Sequence, residues 1–474
     1  MRAALALVML AGFFVLAVGV TVLLGGAALA VFERGDTGGG AFLAALTLVI
    51  GGPSLYAMAR AIWARPRPTG VAMTRATHPE LWRHVDELAG IAGTRSPDDI
   101  RLVPEANAAV WERQGVRYLE LGLPWVAGMT IGEVRSVLAH ELGHYGGGHT
   151  RVSALTFRAK LALGMVIGQG GYLSAVLYAW AKLYALVAAS QSRRHERFAD
   201  EVSVAAAGRE AAKRSLLRGG PVGEAWNDYL RWYVSLAVLA GRTPPLLEGF
   251  RSYLDHPRRV HQLRELEPLM AAREPTSVFD SHPPIRERVA AITSLSPLSG
   301  GVTEAFDERP AWMLLGSLPP EPVAALVGVQ GPPITWEQLA ALTGPVLVRR
   351  YADGLRHAGR VSKIGDTPAD VLAALERGEL HKLTGAPVDA SLSAQQVHDA
   401  AVETVTELLA CMVADLLVTA GLATLELNWG GLFRLRMRDG AAVHADDLVA
   451  PAVRDANRVP EVRLRLSALG LDGL

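Results

Sequence analysis

From Ala3 to Phe32 the chain runs 30 residues without a single charge, longer than the ~20 residues a helix needs to cross the apolar core of a bilayer. Such a segment has few ways to fold. In lipid its backbone polar groups must be satisfied within the segment itself, which means a helix. A second uncharged stretch, Ala41 to Ala59, follows a short link from Glu33 to Gly40 and is broken only by Gly51-Gly52-Pro53. The pair reads as a transmembrane hairpin. The rival reading is a cleaved signal peptide ending at Ala28-Leu29-Ala30, with an unusually long apolar region and a second apolar stretch directly behind it. Arg2 stands before the first stretch and Arg60, Arg65 and Arg67 stand at the end of the second. The positive-inside rule then puts both ends, and the bulk of the chain, on the cytoplasmic side of a plasma membrane.

At 474 residues the chain is too long for one ordinary domain, so two or three units are expected. Lys+Arg and Asp+Glu balance at 47 each, and no basic cluster with interleaved aromatics argues for nucleic acid. The single cysteine, Cys411, excludes an internal disulfide framework and a thiolate metal site. It lies in an apolar helical run, as a small core residue does.

Residues 140–144 read His-Glu-Leu-Gly-His. On a helix, positions i and i+4 share a face, so His140 and His144 can both present a ring nitrogen to one metal ion, while Glu141, one position round, can act on a water bound there. The surroundings predict that helix. Thr130 and Glu133 have capping-box spacing, Met129 and Val134 can staple the entry, and Gly146-Gly147-Gly148 ends the run after Tyr145. Val134, Val137 and Leu138 mark a core-facing side, where two histidines and a glutamate are costly unless something binds them.

A catalytic zinc takes three protein ligands and keeps one position for water. His149 is one residue short of the long His-Glu-x-x-His motif, whose third histidine falls where Thr150 stands. His195 has no spacing argument. Glu196 and Asp200 are i,i+4 on a second helical segment, so one carboxylate can ligate while the other holds a ligand imidazole by its far N–H. Glu196 is therefore the strongest third ligand.

These residues resemble the membrane-bound zinc metallopeptidases of the gluzincin type that include the HtpX-like heat-shock proteases and the CAAX prenyl endopeptidases. The resemblance rests on Leu138 to His144, on Ser192 to Asp200, on Ser281-His-Pro-Pro-Ile-Arg-Glu-Arg288, and on Leu102 to Ala108, which is similar to the family's substrate-side strand. It implies one Zn2+ per chain held by His140, His144 and Glu196, with Glu141 as catalytic base and Asp200 behind the ligands. His282 and Arg288 match a later motif near the active site, which makes His282 a candidate oxyanion stabiliser and Arg288 a supporting residue. The implied fold is α+β and mainly helical: a zincin-like domain over 68–297, after the hairpin of 1–67.

Residues 161–181 form a third apolar stretch. If His144 and Glu196 share an ion, a single crossing here is excluded, because it would leave them ~30 Å apart. The chain must return, with Gly168 to Gly171 as the turn. Arg151, Arg158 and Lys160 keep the first arm out of lipid, so 151–190 reads as a helical hairpin that dips into the membrane or is buried within the protein. Upstream, helical spacing covers 76–92. Short strands are expected at 100–103, 108–111 and 116–121. Asn107 and Ala108 are placed to line an edge strand, to which an extended peptide can add through main-chain hydrogen bonds.

Beyond 297 no catalytic constellation is visible. A long helix is expected over 393–420, and a β-hairpin over 424–437 with Gly430-Gly431 as a two-residue turn. Residues 298–474 read as a small α+β appendage for regulation or partner binding. The expected activity is endoproteolysis of polypeptides at a lipid bilayer, in the quality control or processing of membrane proteins. The alternative is a non-catalytic membrane scaffold that keeps zinc for stability and works through its C-terminal part.

Overall fold

The charge-free N-terminal run forms one helix in the computed structural model, α1 (Arg2–Glu33), and the second apolar stretch forms another, α2 (Thr37–Trp63), which continues through Gly51-Gly52-Pro53. They pair as a hairpin. Its turn is set by Gly35 at φ 86° and by the Asp36 carboxylate, which accepts the Gly39 N–H at 2.9 Å. Among the described residues no helix is long and apolar enough to cross a membrane, so the crossing expected of this hairpin is not shown. The structure describes residues 2–63, 68–146, 182, 193–274, 282–295, 307–384 and 393–471. The expected hairpin at 151–190, its turn at 168–171 and His149 lie outside them, apart from residue 182.

Two compact units divide the chain, and neither is continuous in sequence: residues 1–226 with 262–318, and residues 227–261 with 319–474. In the first, a four-stranded sheet comprises β1 (Val71–Ala72), β2 (Asp99–Val103), β3 (Ala108–Arg113) and β4 (Val116–Gly122), in the order β1-β2-β4-β3. β4 is parallel to β2 and antiparallel to β3. The β3–β4 turn is the pair Gln114-Gly115, at φ 51° and 83°, the left-handed pair that lets a two-residue hairpin follow the strand twist. β3 is an edge strand, as its sequence led us to expect.

Helix α3 (Pro79–Ile91) buries Leu81, Val85 and Leu88, and Ile100, Leu102, Leu119 and Leu121 of the sheet are buried likewise, each at most 1% exposed. Each such side chain stabilises the fold by up to ~1.5–3 kcal/mol. A short helix, α4 (Leu123–Gly128), leads to α5 (Ile131–Gly143), the helix of the His-Glu-Leu-Gly-His motif. The capping box is formed as its spacing predicts. Thr130 accepts the Glu133 N–H, and the Glu133 carboxylate accepts the Thr130 N–H at 2.8 Å. Glu133 is fully buried and pairs with Arg214 at 3.2 Å.

A helix over 193–207 (α6) lies against α5. Gly143 makes this possible: a Cβ there would stand 3.0 Å from the Ala199 Cα. Helix α7 (Arg209–Tyr229) follows. Ser136 of α5 hydrogen-bonds Ser203 of α6 at 2.7 Å and Ser215 of α7 at 3.0 Å, and all three are buried. This chain of hydroxyls fixes the axial register of the three helices, because a slip by one residue strands buried polar groups.

In the second unit, Tyr229, Tyr233, Phe250 and Tyr253 cluster with Trp336 and Trp429, with ring centroids 5.0–6.3 Å apart. The long helix expected near the C-terminus runs from Ala394 to Thr419, capped by Ser393 and Gln396, and buries Val405, Leu409, Met412, Val413 and Leu417. Cys411 packs beside this core and burial pushes its thiol up to about 12. The β-hairpin forms between Ala423–Asn428 and Leu432–Met437, but the turn differs from expectation. Asn428 pairs with Leu432, so the turn has three residues, Trp429-Gly430-Gly431. Leu432 takes a left-handed φ of 60°, and the Tyr233 hydroxyl donates to Asn428 O at 2.7 Å and accepts the Leu432 N–H at 3.1 Å. An aromatic side chain from far upstream thus supplies contacts that a tight glycine turn makes within itself.

Candidate metal centre

Helix α5 carries His140 into the core and leaves His144 at its C-terminal cap, half-buried. Their Nε2 atoms stand 3.1 Å apart. Glu196 and Asp200, one turn apart on α6, are each 4% exposed and face the same way. Glu196 places Oε2 3.6 Å from His140 Nε2 and Oε1 3.8 Å from His144 Nε2. Tetrahedral zinc with bonds of ~2.0–2.1 Å sets its ligand atoms about 3.3 Å from one another. The observed separations bracket that value. His282 joins the group: one ligand-capable atom from each of His140, His144, Glu196 and His282 falls within 4.8 Å of all the others.

Asp200 determines which nitrogen His140 turns to the centre. Its Oδ1 lies 3.0 Å from His140 Nδ1, and a carboxylate can only accept, so Nδ1 carries the proton and Nε2 keeps its lone pair. Arg288, on the helix Ile285–Ser294, holds Asp200 in turn through Nη2 to Oδ1 at 2.6 Å and Nε to Oδ2 at 3.3 Å. Arg288 Nη2 also lies 3.0 Å from His140 Nδ1. That nitrogen has one proton and no second lone pair, so the shorter contact to Asp200 is the hydrogen bond.

The charges of the cluster are strongly coupled. Burial, with His140 adding to it, drives the His144 pKa down to about 3, so this ring is neutral. The 3.1 Å approach of the His140 and His144 Nε2 atoms is an arrangement that a cation between them relieves. Burial pushes Glu196 upward, but the hydrogen bond from His282 Nδ1 at 2.8 Å and the other histidines outweigh it, and its carboxyl is held below the usual range. Burial lowers His282, and the same bond to Glu196 more than reverses this. For Asp200 burial is likewise overcome, by hydrogen bonds from His140 and Arg288. Glu141, beside the cluster, is shifted up by burial, which the neighbouring His140 and His282 offset only in part.

The structure therefore brings together His140, Glu141, His144, Glu196, Asp200, His282 and Arg288, which the sequence had singled out. Among the described residues His195 is not in the metal-capable group, although it lies on the same helix as Glu196. Asn107 and Ala108 stand at the start of the β3 edge, where the Gly122 N–H donates to Asn107 O at 2.7 Å. Sequence reasoning missed the serine chain of Ser136, Ser203 and Ser215, the close approach at Gly143, and Tyr145. The Tyr145 hydroxyl donates to Val110 O of β3 at 2.8 Å. No periodicity marks isolated polar residues of this kind.

The donor set suits zinc: two imidazoles and a carboxylate, with His140 held from behind by Asp200, Glu196 bonded by His282, and no thiolate. Residues 125–296 match the family model described as Peptidase family M48. No curated protein and no solved structure matches the chain. The matched segment runs from α4 through the helix that bears Arg288, and so contains every residue of the cluster. Residues 125–296 belong to peptidase family M48, and the chain is a metallopeptidase, a hydrolase.

Proposed function

We propose that the chain is a zinc-dependent endopeptidase that binds one ion per chain through His140, His144 and Glu196. The observation that carries this reading is the convergence of those three side chains at 3.1–3.8 Å. When bound there, zinc lowers the pKa of a coordinated water toward neutrality and polarises a carbonyl oxygen. Glu141 takes the proton from the attacking water and delivers it to the leaving amine, the role of a general base and then acid. His282 offers an N–H to the oxygen on which negative charge develops. Asp200 and Arg288 hold the His140 ring in the tautomer that ligates.

Among the described residues β3 is a sheet edge, and its start near Asn107 and Ala108 supports a substrate in extended form, bound through main-chain groups. The two uncharged runs within 1–67, Ala3 to Phe32 and Ala41 to Ala59, support anchoring in a plasma membrane as two spans, and the arginines at their outer ends support a cytoplasmic site. Membrane and misfolded polypeptides fit that location. CAAX-type processing fits less well, because those enzymes carry more spans. Residues 68–297 supply the peptidase, and 298–474 a regulatory or partner-binding part.

One observation favours a second reading. With His282 as a fourth ligand the zinc site closes, and a closed site is structural, as in a scaffold. Zinc content and casein cleavage, measured on wild type, Glu141→Gln and His282→Ala, separate the two. The peptidase reading expects one zinc in all three, with cleavage down by ~10²–10⁴-fold in Glu141→Gln. Loss of zinc in His282→Ala, with no cleavage by the wild type, sinks it.

A further inference from the structure

The edge of β3 is not open along its whole length. Asn107 faces β4, since its carbonyl accepts the Gly122 N–H, and strand alternation then turns the main-chain groups of Ala108, Val110 and Glu112 outward. The Val110 carbonyl is taken: Tyr145, the residue after His144, donates its hydroxyl to it at 2.8 Å. A strand added to this edge lies ~4.8 Å from β3, so a phenol bonded to an outward carbonyl occupies the path such a strand follows. The ring is held in place. The Arg117 guanidinium lies 4.8 Å from its centroid, and Arg117 is itself buried, donating to Thr94 Oγ1 at 2.9 Å and to Arg95 O at 2.7 Å. Tyr145 is thus a fixed stop on the edge, beside the histidine pair.

We propose that Tyr145 determines how far an extended polypeptide pairs with β3: pairing uses the Ala108 side of the edge and ends at Val110, so that recognition on one side of the scissile bond is short. This rests on the peptide-binding role given above to the β3 edge. It makes Tyr145 a specificity-determining residue, one that bounds the substrate without touching the metal.

The test uses full-length, zinc-loaded protein carrying Glu141→Gln, so that peptides bind without being cut. Two nested series of labelled peptides, lengthened one residue at a time on either side of a casein cleavage site, are titrated by fluorescence anisotropy. The expected result is that affinity rises with length on one side and reaches an early plateau on the other. Adding Tyr145→Ala moves that plateau outward by at least one residue, and each newly paired residue tightens binding by roughly 3–10-fold. Tyr145→Phe, which keeps the ring over Arg117 but frees the carbonyl, serves if the alanine variant fails to hold zinc, and is expected to move the plateau in the same direction. Equal growth of affinity on both sides, an unmoved plateau in the variants, or no peptide binding at all overturns the proposal. Peptides that bind with this length pattern but are never cut by protein with Glu141 intact overturn the peptidase reading instead.

Discussion

At the scale of single residues, His140 shows how much of a ligand's behaviour is set behind it. Its imidazole is bonded by Asp200, and Asp200 is gripped at both oxygens by Arg288. The planar fork of Arg288 matches the carboxylate as a lysine cannot. We expect Asp200→Ala and Arg288→Ala to weaken zinc binding by ~10–100-fold while leaving the ligands themselves in place, as measured by competition with a chromophoric chelator. Arg288→Lys is expected to recover only part of the loss. A second histidine carries a pH dependence. His84 is buried, and its Nδ1 lies 2.6 Å from Arg135 Nη1. Burial, then Arg135 and Arg83, lowers its pKa from the ordinary 6.5, and burial alone lowers His78. The unfolded chain therefore takes up these protons first as pH falls. The contribution of His84 and His78 is complete above about 6.5 and is lost as pH falls from there toward the folded values, at no more than ~1.4 kcal/mol per pH unit for each histidine. Urea midpoints between pH 7.5 and 5.5 check this, and His84→Gln is expected to flatten the slope.

At the scale of elements, the centre depends on two helices meeting closely at one register. Thr130 starts α5 by satisfying the Glu133 N–H, and Thr130→Ala is expected to cost about 1 kcal/mol of stability by denaturant titration. Gly143 governs the approach of α6. A methyl group there meets the Ala199 backbone at 3.0 Å, tighter than ordinary contact. Gly143→Ala therefore pushes α6, with Glu196 and Asp200, away from the two histidines. We expect zinc affinity to fall by more than tenfold with far-UV circular dichroism unchanged, because a displacement of a few tenths of an ångström disturbs ligation more than helix content. Wild-type zinc affinity in this variant contradicts that account.

At the scale of the whole molecule, the chain is partitioned against its own order. Residues 227–261 pack with 319–474, and the contact from Tyr233 to Asn428 spans 195 positions. Tyr233→Phe removes both hydroxyl bonds and leaves the buried end of the hairpin short of a donor and an acceptor. The expected cost is ~1–3 kcal/mol, read as a lower denaturation midpoint. A chain ended after 318 strips Trp336 and Trp429 from the aromatic cluster, and is expected to bind a hydrophobic dye and aggregate where the full chain does not.

The legible parts of this protein are those whose physics is local. The capping box, the i,i+4 pairing of His140 with His144 and of Glu196 with Asp200, the alternation of β4, and the long helix at 394–419 each follow from a repeat of a few residues, and a short window of sequence contains all the information needed. The sequence also narrowed the metal-capable set to a handful of side chains, because two histidines and a glutamate on a core-facing helix are costly without a cation. Other features arose only in three dimensions. The serine chain across three helices, the stop that Tyr145 makes at Val110, the three-residue hairpin turn held by Tyr233, and the assignment of 227–261 to the second unit all join residues far apart in the chain. None of them leaves a periodic trace. Such contacts are fixed when elements dock and buried polar groups have to find partners, and that choice belongs to the packed chain rather than to any segment of it.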